Sequence, residues 1–127
     1  MRQGARRCDI GARGRRVIVV HGLKACDTCR RAMRALADGG IAARLRDLRA
    51  EPVTVGEVRR WHARFGEGLL NRRSTTWRGL DAAARAGDPV DLMVAHPALI
   101  RRPVIEAVDG LHLGWTPETR AALGLEG

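Results

Sequence analysis

The 127-residue sequence predicts one α/β domain on a four-stranded mixed sheet, and three observations carry that prediction. A β-branched run, an amphipathic stripe and a short alternating segment follow one another between residues 17 and 47, the pattern of a βαβ unit. A hairpin signal, Asp109-Gly110, lies near the C-terminus. Between the two, residues 52–97 read as helical, an insertion rather than a continuation of the sheet.

Each element has a local cause. Val17 to Val20 is Val and Ile throughout, bounded by Arg16 and Gly22, which predicts a short central strand buried on both faces. From there, Cys29, Ala32, Met33, Leu36 and Ala37 fall on one helical stripe, with Arg30, Arg31 and Arg34 opposite, and Gly39-Gly40 supplies a left-handed stop. Ala43 to Arg46 alternates with period two and closes a right-handed parallel pair. Thr54 with Glu57 spells a capping box ahead of Val58, Trp61, His62 and Phe65 at helical spacing. Asp88-Pro89 opens a further helix that ends before Pro97. Val104-Ile105 and Leu111 to Trp115 are the arms of the hairpin, and Thr116-Pro117 caps a last helix.

Composition bounds the function. With 45% hydrophobic and 29% charged residues the chain has ordinary globular usage, and no run approaches the ~18 apolar residues of a membrane span. A net charge of +9 raises the question of nucleic acid, but residues 1–16 hold six arginines against the single acid Asp9 and so supply over half of that excess. The remaining bias, many arginines to the one lysine Lys24, reads as compositional preference rather than a phosphate grip. Residues 1–16 lack the roughly 7–15-residue apolar stretch of a secretory signal. They are expected to be a basic, disordered extension, with the domain proper at 17–127 and the protein a cytoplasmic monomer. Three cysteines, an odd number, argue against a structural disulfide framework.

The chemistry is carried by Gly22-Leu23-Lys24-Ala25-Cys26-Asp27-Thr28-Cys29, placed where the first strand hands over to the first helix. There Cys26 meets the positive end of the helix dipole, which stabilises a thiolate. Cys29 sits one helical turn behind it, close enough to attack a mixed disulfide formed on Cys26, so Cys26 reads as the nucleophile and Cys29 as the resolving thiol. Lys24 favours the thiolate and Asp27 opposes it. A zinc site would need four ligands, but there is no second CxxC: the one further cysteine is Cys8 in the basic tail, and His21 is the nearest histidine. Covalent haem would need histidine where Arg30 stands. His21 and His62 are expected to be packing residues, none of His21, His62, His96 and His112 has an evident Asp partner, and Trp61, Trp77 and Trp115 are expected to supply buried area.

Three motifs in order resemble the glutaredoxin-like arsenate reductase superfamily. They are His21-Gly22 leading into Cys26-Asp27-Thr28-Cys29-Arg30-Arg31-Ala32, then Leu69-Leu70-Asn71-Arg72-Arg73 with Thr75-Thr76-Trp77-Arg78, then His96-Pro97-Ala98-Leu99-Ile100-Arg101-Arg102-Pro103. The resemblance runs from about residue 17 to the C-terminus. It implies a thioredoxin-like fold with a helical insertion, a cis peptide at Arg102-Pro103, and an Arg102 that faces the catalytic cysteine. Of the arginines that bind an oxyanion in such reductases, it matches Arg102 and, beside Asn71 and Arg72, Arg73; residues 111–115 hold none. The substrate-binding residues it implies are therefore Arg102, Arg73 and Pro103. The implied activity is a thiol-dependent reductase with no bound cofactor or metal, glutathione or another thiol as co-substrate, and a small thiol or an oxyanion as substrate. The alternative, from the Spx-type regulators that the chain also resembles, is a redox-sensing transcription regulator that binds RNA polymerase.

Overall fold

The computed structural model describes residues 17–125, which fall into two compact units, 17–47 with 102–125 and 48–101. The basic N-terminal segment, Cys8 included, lies outside the described residues. No helix among the described residues is long and apolar enough to cross a membrane.

The first unit holds the sheet, in the order β2-β1-β3-β4. β1 (Ile18–Gly22) pairs in parallel with β2 (Ala43–Asp47) and antiparallel with β3 (Val104–Ala107), which pairs antiparallel with β4 (Gly110–Leu113). The sheet is thus mixed and four-stranded, with β1 inside it, as its unbroken β-branched run predicts. Between β1 and β2 runs α1 (Asp27–Asp38), which lays Cys29, Ala32 and Leu36 inward, the predicted stripe. It ends at Gly39, and Gly40 takes the left-handed φ of 73° that turns the chain toward β2. Val20, Leu36 and Ile105 form the fully buried core, on which Met33, Leu45, Trp115 and Leu123 pack. Burying a side chain of this size stabilises the fold by about 1.5–3 kcal/mol each. The unit finishes with α6 (Pro117–Ala122), started by Thr116 as expected.

The hairpin differs from expectation by one position. Its two loop residues are Val108 and Asp109, while Gly110, at φ 136°, opens β4 opposite Ala107. The strand stops at Leu113 because Gly114, at φ 82°, turns the chain and donates its N–H to the Pro103 carbonyl at 2.8 Å.

In the second unit, α2 (Val55–Phe65) begins with the predicted capping box and buries Val58 and Trp61. A 3-10 turn (Gly66–Leu69) follows, then the short helices α3 (Thr75–Arg78) and α4 (Ala82–Arg85), then α5 (Pro89–Ala95), which packs on α2. The unit is not helical throughout: Leu70 and Ile100 form an antiparallel bridge, flanked by Asn71 N–H to the Leu99 carbonyl at 2.7 Å and Arg101 N–H to the Leu69 carbonyl at 2.8 Å. That bridge draws the two ends of the α3–α5 segment together.

Candidate functional site

The site is built where three strand ends of the first unit meet the start of α1. At the end of β1 the chain turns through Leu23 to Ala25, held by Cys26 N–H donating to the Leu23 carbonyl at 3.0 Å and by Lys24 N–H donating to the Asp47 carboxylate at 3.3 Å. Cys26 is then the N-cap of α1, in an extended conformation at φ −78° and ψ 123°. Its carbonyl accepts the first helical bond, from Arg30 N–H at 3.0 Å. No side chain caps the helix, so its leading N–H groups are open to the Cys26 sulfur. The carboxylate of Asp27 is engaged by Arg30 at 3.3 Å and Arg31 at 3.9 Å, which blunts its opposition to a thiolate.

The two thiols are in opposite states. Partial burial works against a Cys26 thiolate, yet donors outweigh it: the Cys29 N–H, the Cys29 thiol, the Arg102 guanidinium and the Thr28 N–H all serve the sulfur, and the Cys26 pKa is lowered. Cys29 is wholly buried, and burial is the main reason its pKa is pushed up to about 11, against a donor from the Leu23 backbone and with the neighbouring Cys26 adding to the rise. One thiol is prepared to react as a thiolate while the other stays protonated behind it. Gly22 makes room for this arrangement, since a β-carbon there would collide with the Cys29 sulfur and lie 4.0 Å from the Arg102 β-carbon.

Arg102 reaches the sulfur from just ahead of β3, and the Arg102-Pro103 peptide is cis. The fold therefore brings Cys26, Cys29 and Arg102, followed by the buried Pro103, to one place. Arg73 belongs to the second unit, exposed in the turn before α3, where its N–H donates to the Asn71 side-chain oxygen at 3.0 Å.

The expectation that the histidines lack an Asp partner is corrected for His112, and two others meet a glutamate. His112 Nε2 lies 3.1 Å from Asp109 Oδ1, three residues away across the hairpin turn. His62 Nε2 comes within 3.9 Å of Glu67 Oε2, an ion-pair distance too long for a hydrogen bond. His21 Nε2 lies 3.2 Å from Glu106 Oε1, and Arg46 Nη1 lies 3.2 Å from His21 Nδ1, all three side chains being buried. The His112 pairing had a short-range signal in Asp109-Gly110-Leu111-His112; the His21 cluster, spread over three strands, had none.

Comparison with known proteins agrees with this architecture. Residues 21–123 match the ArsC family. An uncharacterized protein of Haemophilus influenzae is 35% identical over 94 residues, covering 70% of this chain and 82% of the relative. Among solved structures, the YFFB protein is 36% identical with a TM-score of 0.78, over 84% of this chain and 97% of that one. The solution structure of an arsenate reductase (ArsC) related protein from Brucella melitensis is 32% identical with a TM-score of 0.66, over 86% and 96% of the two chains. The mixed sheet, the strand-to-helix position of Cys26 and these matches together make the fold thioredoxin-like α/β, and the chain belongs to the ArsC family.

Proposed function

We propose that the protein is a cytoplasmic thiol-dependent reductase in which Cys26 is the nucleophile and Cys29 the resolving thiol. The observation that carries this reading is the contrast between a Cys26 sulfur served by four donors and a Cys29 buried and protonated one turn behind it. Membership in a family of thiol-dependent redox proteins supports it.

The chemistry balances as a two-electron exchange. The Cys26 thiolate attacks one sulfur of a disulfide or glutathionyl adduct, forming a mixed disulfide and expelling the other sulfur as a thiolate. Cys29 then gives up its proton, its sulfur attacks Cys26, and the second substrate thiolate leaves; the substrate is reduced and the protein holds a Cys26–Cys29 disulfide. Two molecules of glutathione or a similar thiol reduce that disulfide and are themselves joined as a disulfide. With an oxyanion as substrate, the Cys26 thiolate displaces one oxygen, which leaves as water after protonation. Cys29 then attacks the Cys26 sulfur, so that a Cys26–Cys29 disulfide forms while the electron pair of the broken bond stays on the central atom, now reduced by two electrons. Arg102, with its planar fork of donors, offsets the charge of the adduct. Pro103, next to Arg102, completes the proposed substrate contacts of the first unit, and Arg73 is the further substrate-binding residue that the resemblance implies.

Measuring turnover of arsenate and of a glutathionylated peptide, each with glutathione and with a thioredoxin system, tests the reading. Turnover of at least one substrate that vanishes in Cys26→Ser is the expected result. No thiol-dependent turnover of either, together with retention of the oxidised chain on RNA polymerase, would replace the enzyme with the Spx-type regulator.

A further inference from the structure

Three ionisable side chains, His21, Arg46 and Glu106, are buried on the face of the sheet opposite the Val20–Leu36–Ile105 core, at 5%, 7% and 8% exposure. They come from three adjacent strands. His21 on β1 stands directly opposite Arg46 on β2, and Glu106 on β3 is two residues along from Val104, the partner of His21. Hydrogen-bond chemistry assigns their states. A guanidinium has donors only, so the 3.2 Å contact of Arg46 Nη1 with His21 Nδ1 requires the lone pair there. The proton of a neutral imidazole is then on Nε2, which donates to Glu106 Oε1 at 3.2 Å. A cation, a neutral relay and an anion cross the three strands with no net charge, which is how buried charges are made tolerable.

The position of this cluster beside the reacting thiol gives it its meaning. After His21 comes Gly22, the floor beneath the Cys29 sulfur. After Arg46 comes Asp47, whose carboxylate holds Lys24 N–H in the turn that leads to Cys26. Ahead of β3 stands Arg102, whose guanidinium serves the Cys26 sulfur. We propose that His21 is a positioning residue: by tying β2 and β3 to β1 one residue before the site, it sets Arg102 and the α1 N-terminus at the distance from Cys26 that keeps its thiol reactive. The proposal rests on the reading of Cys26 as the reacting thiol and needs no substrate for its test.

The experiment is alkylation of the reduced full-length chain by iodoacetamide across pH, followed by cleavage before aspartate, which at Asp9 and Asp27 puts Cys8, Cys26 and Cys29 on separate peptides, and quantification of the Cys26 peptide by mass spectrometry. His21→Leu should raise the Cys26 midpoint by about half a pH unit or more, roughly a threefold loss of thiolate below it. His21→Gln, whose amide offers an acceptor to Arg46 and a donor to Glu106, should restore the wild-type midpoint. In an Arg102→Ala background, His21→Leu should add a clearly smaller shift, because the Arg102 contact it positions is already gone and only the α1 N-terminus remains to be displaced. A melting temperature that falls while the midpoint stays in place would overturn the proposal, leaving His21 a purely structural residue. A shift of equal size with and without Arg102 would overturn it too, since His21 would then act by another route. Should His21→Leu not fold, His21→Asn, short enough to keep Arg46 and lose Glu106, gives the same readout.

Discussion

Thr54, Ser74, Asp81 and Asp88 in the second unit and Thr116 in the first each start an α-helix by accepting a backbone N–H of the first turn on a side-chain oxygen. The helix α1 is started by Cys26, with no side-chain cap. The physical difference is in what the free N–H groups and the positive end of the dipole act upon. In the five capped helices they are satisfied by a permanent oxygen acceptor, and the helix gains stability. In α1 they are left to a sulfur whose ionisation they favour, so stabilisation of the fold is exchanged for a reactive thiolate.

The largest test of that contrast exchanges the sulfur for an oxygen. Cys26→Ser should lower thiol-dependent turnover by at least roughly a thousandfold, about 4 kcal/mol of barrier, because the nucleophile is gone. The same substitution gives α1 an ordinary cap and should stabilise the protein by about 0.5–1 kcal/mol. Turnover and a thermal melt on the same variant read both effects. A serine variant that melts below the wild type would mean that α1 is already satisfied at its start.

Cys29 sharpens the contrast one turn further in, where burial outweighs any help from the helix end. Its raised pKa means that native stability is intact below the ordinary thiol value and is lost as pH rises through about 11. The loss should reach roughly 2–3 kcal/mol, since a tenfold change in an acid's dissociation constant is worth about 1.4 kcal/mol. Cys26 has the opposite sign: its lowered pKa contributes stability above the ordinary value that is lost as pH falls through the native one. With no tyrosine in the chain, few other side chains change charge in the alkaline window. Denaturant midpoints measured from about pH 9 to 11 should fall in the wild type and stay flatter in Cys29→Ala. Parallel profiles would show that Cys29 is not held protonated by the fold.

Arg102 supplies what a helix end alone lacks, a full positive charge at the sulfur. Arg102→Ala should lower kcat/KM by about ten- to a hundredfold, equivalent to roughly 1.4–2.7 kcal/mol, and raise the Cys26 pKa. Arg102→Lys keeps the charge and loses the planar fork, so the Cys26 pKa should move little while an anionic substrate binds more weakly. Wild-type turnover with an unshifted Cys26 in Arg102→Ala would remove Arg102 from the site and leave only the two thiols.

What could be read from the sequence divides along the range of the interactions involved. The β1–α1–β2 segment, the Thr54–Glu57 box and the Cys26–Cys29 spacing are set by contacts within a few residues, and periodicity and capping chemistry display them directly. The helices α3 and α4 are four residues each, too short to show a period, although Ser74 and Asp81 are both ordinary cap residues. The hairpin turn lies one position before the one that Asp109-Gly110 predicts: that dipeptide suits a two-residue loop by itself, while the observed pairing of Ala107 with Gly110 needs only that Gly110 accept a positive φ. Arg102 became legible through the resemblance alone, since nothing in its neighbours points to Cys26. The His21–Glu106 contact joins residues 85 apart and is invisible to any local pattern.

The smallest test concerns a capped helix and should move stability without touching the site. Thr54 Oγ1 accepts Glu57 N–H at 3.1 Å, and Glu57 Oε1 accepts Thr54 N–H at 3.0 Å, so Thr54→Ala removes one arm of the box and loosens the other. The expected cost is about 1 kcal/mol, toward the lower end of the 0.5–2 kcal/mol range because this cap is exposed. For a chain of this size that is a fall of roughly 3–5 °C in Tm. Thr54→Asp, which again places an oxygen before the first turn and adds a negative charge at the positive end of the dipole, should recover it. Alkylation of Cys26 should be the same in both variants. The sign is the informative part: removing an oxygen from the start of α2 lowers Tm, whereas supplying one at the start of α1 raises it. If both substitutions shift Tm in the same direction, the two helix ends are equivalent, and the reactivity of Cys26 must be attributed to Arg102 and the neighbouring thiol rather than to an open helix terminus.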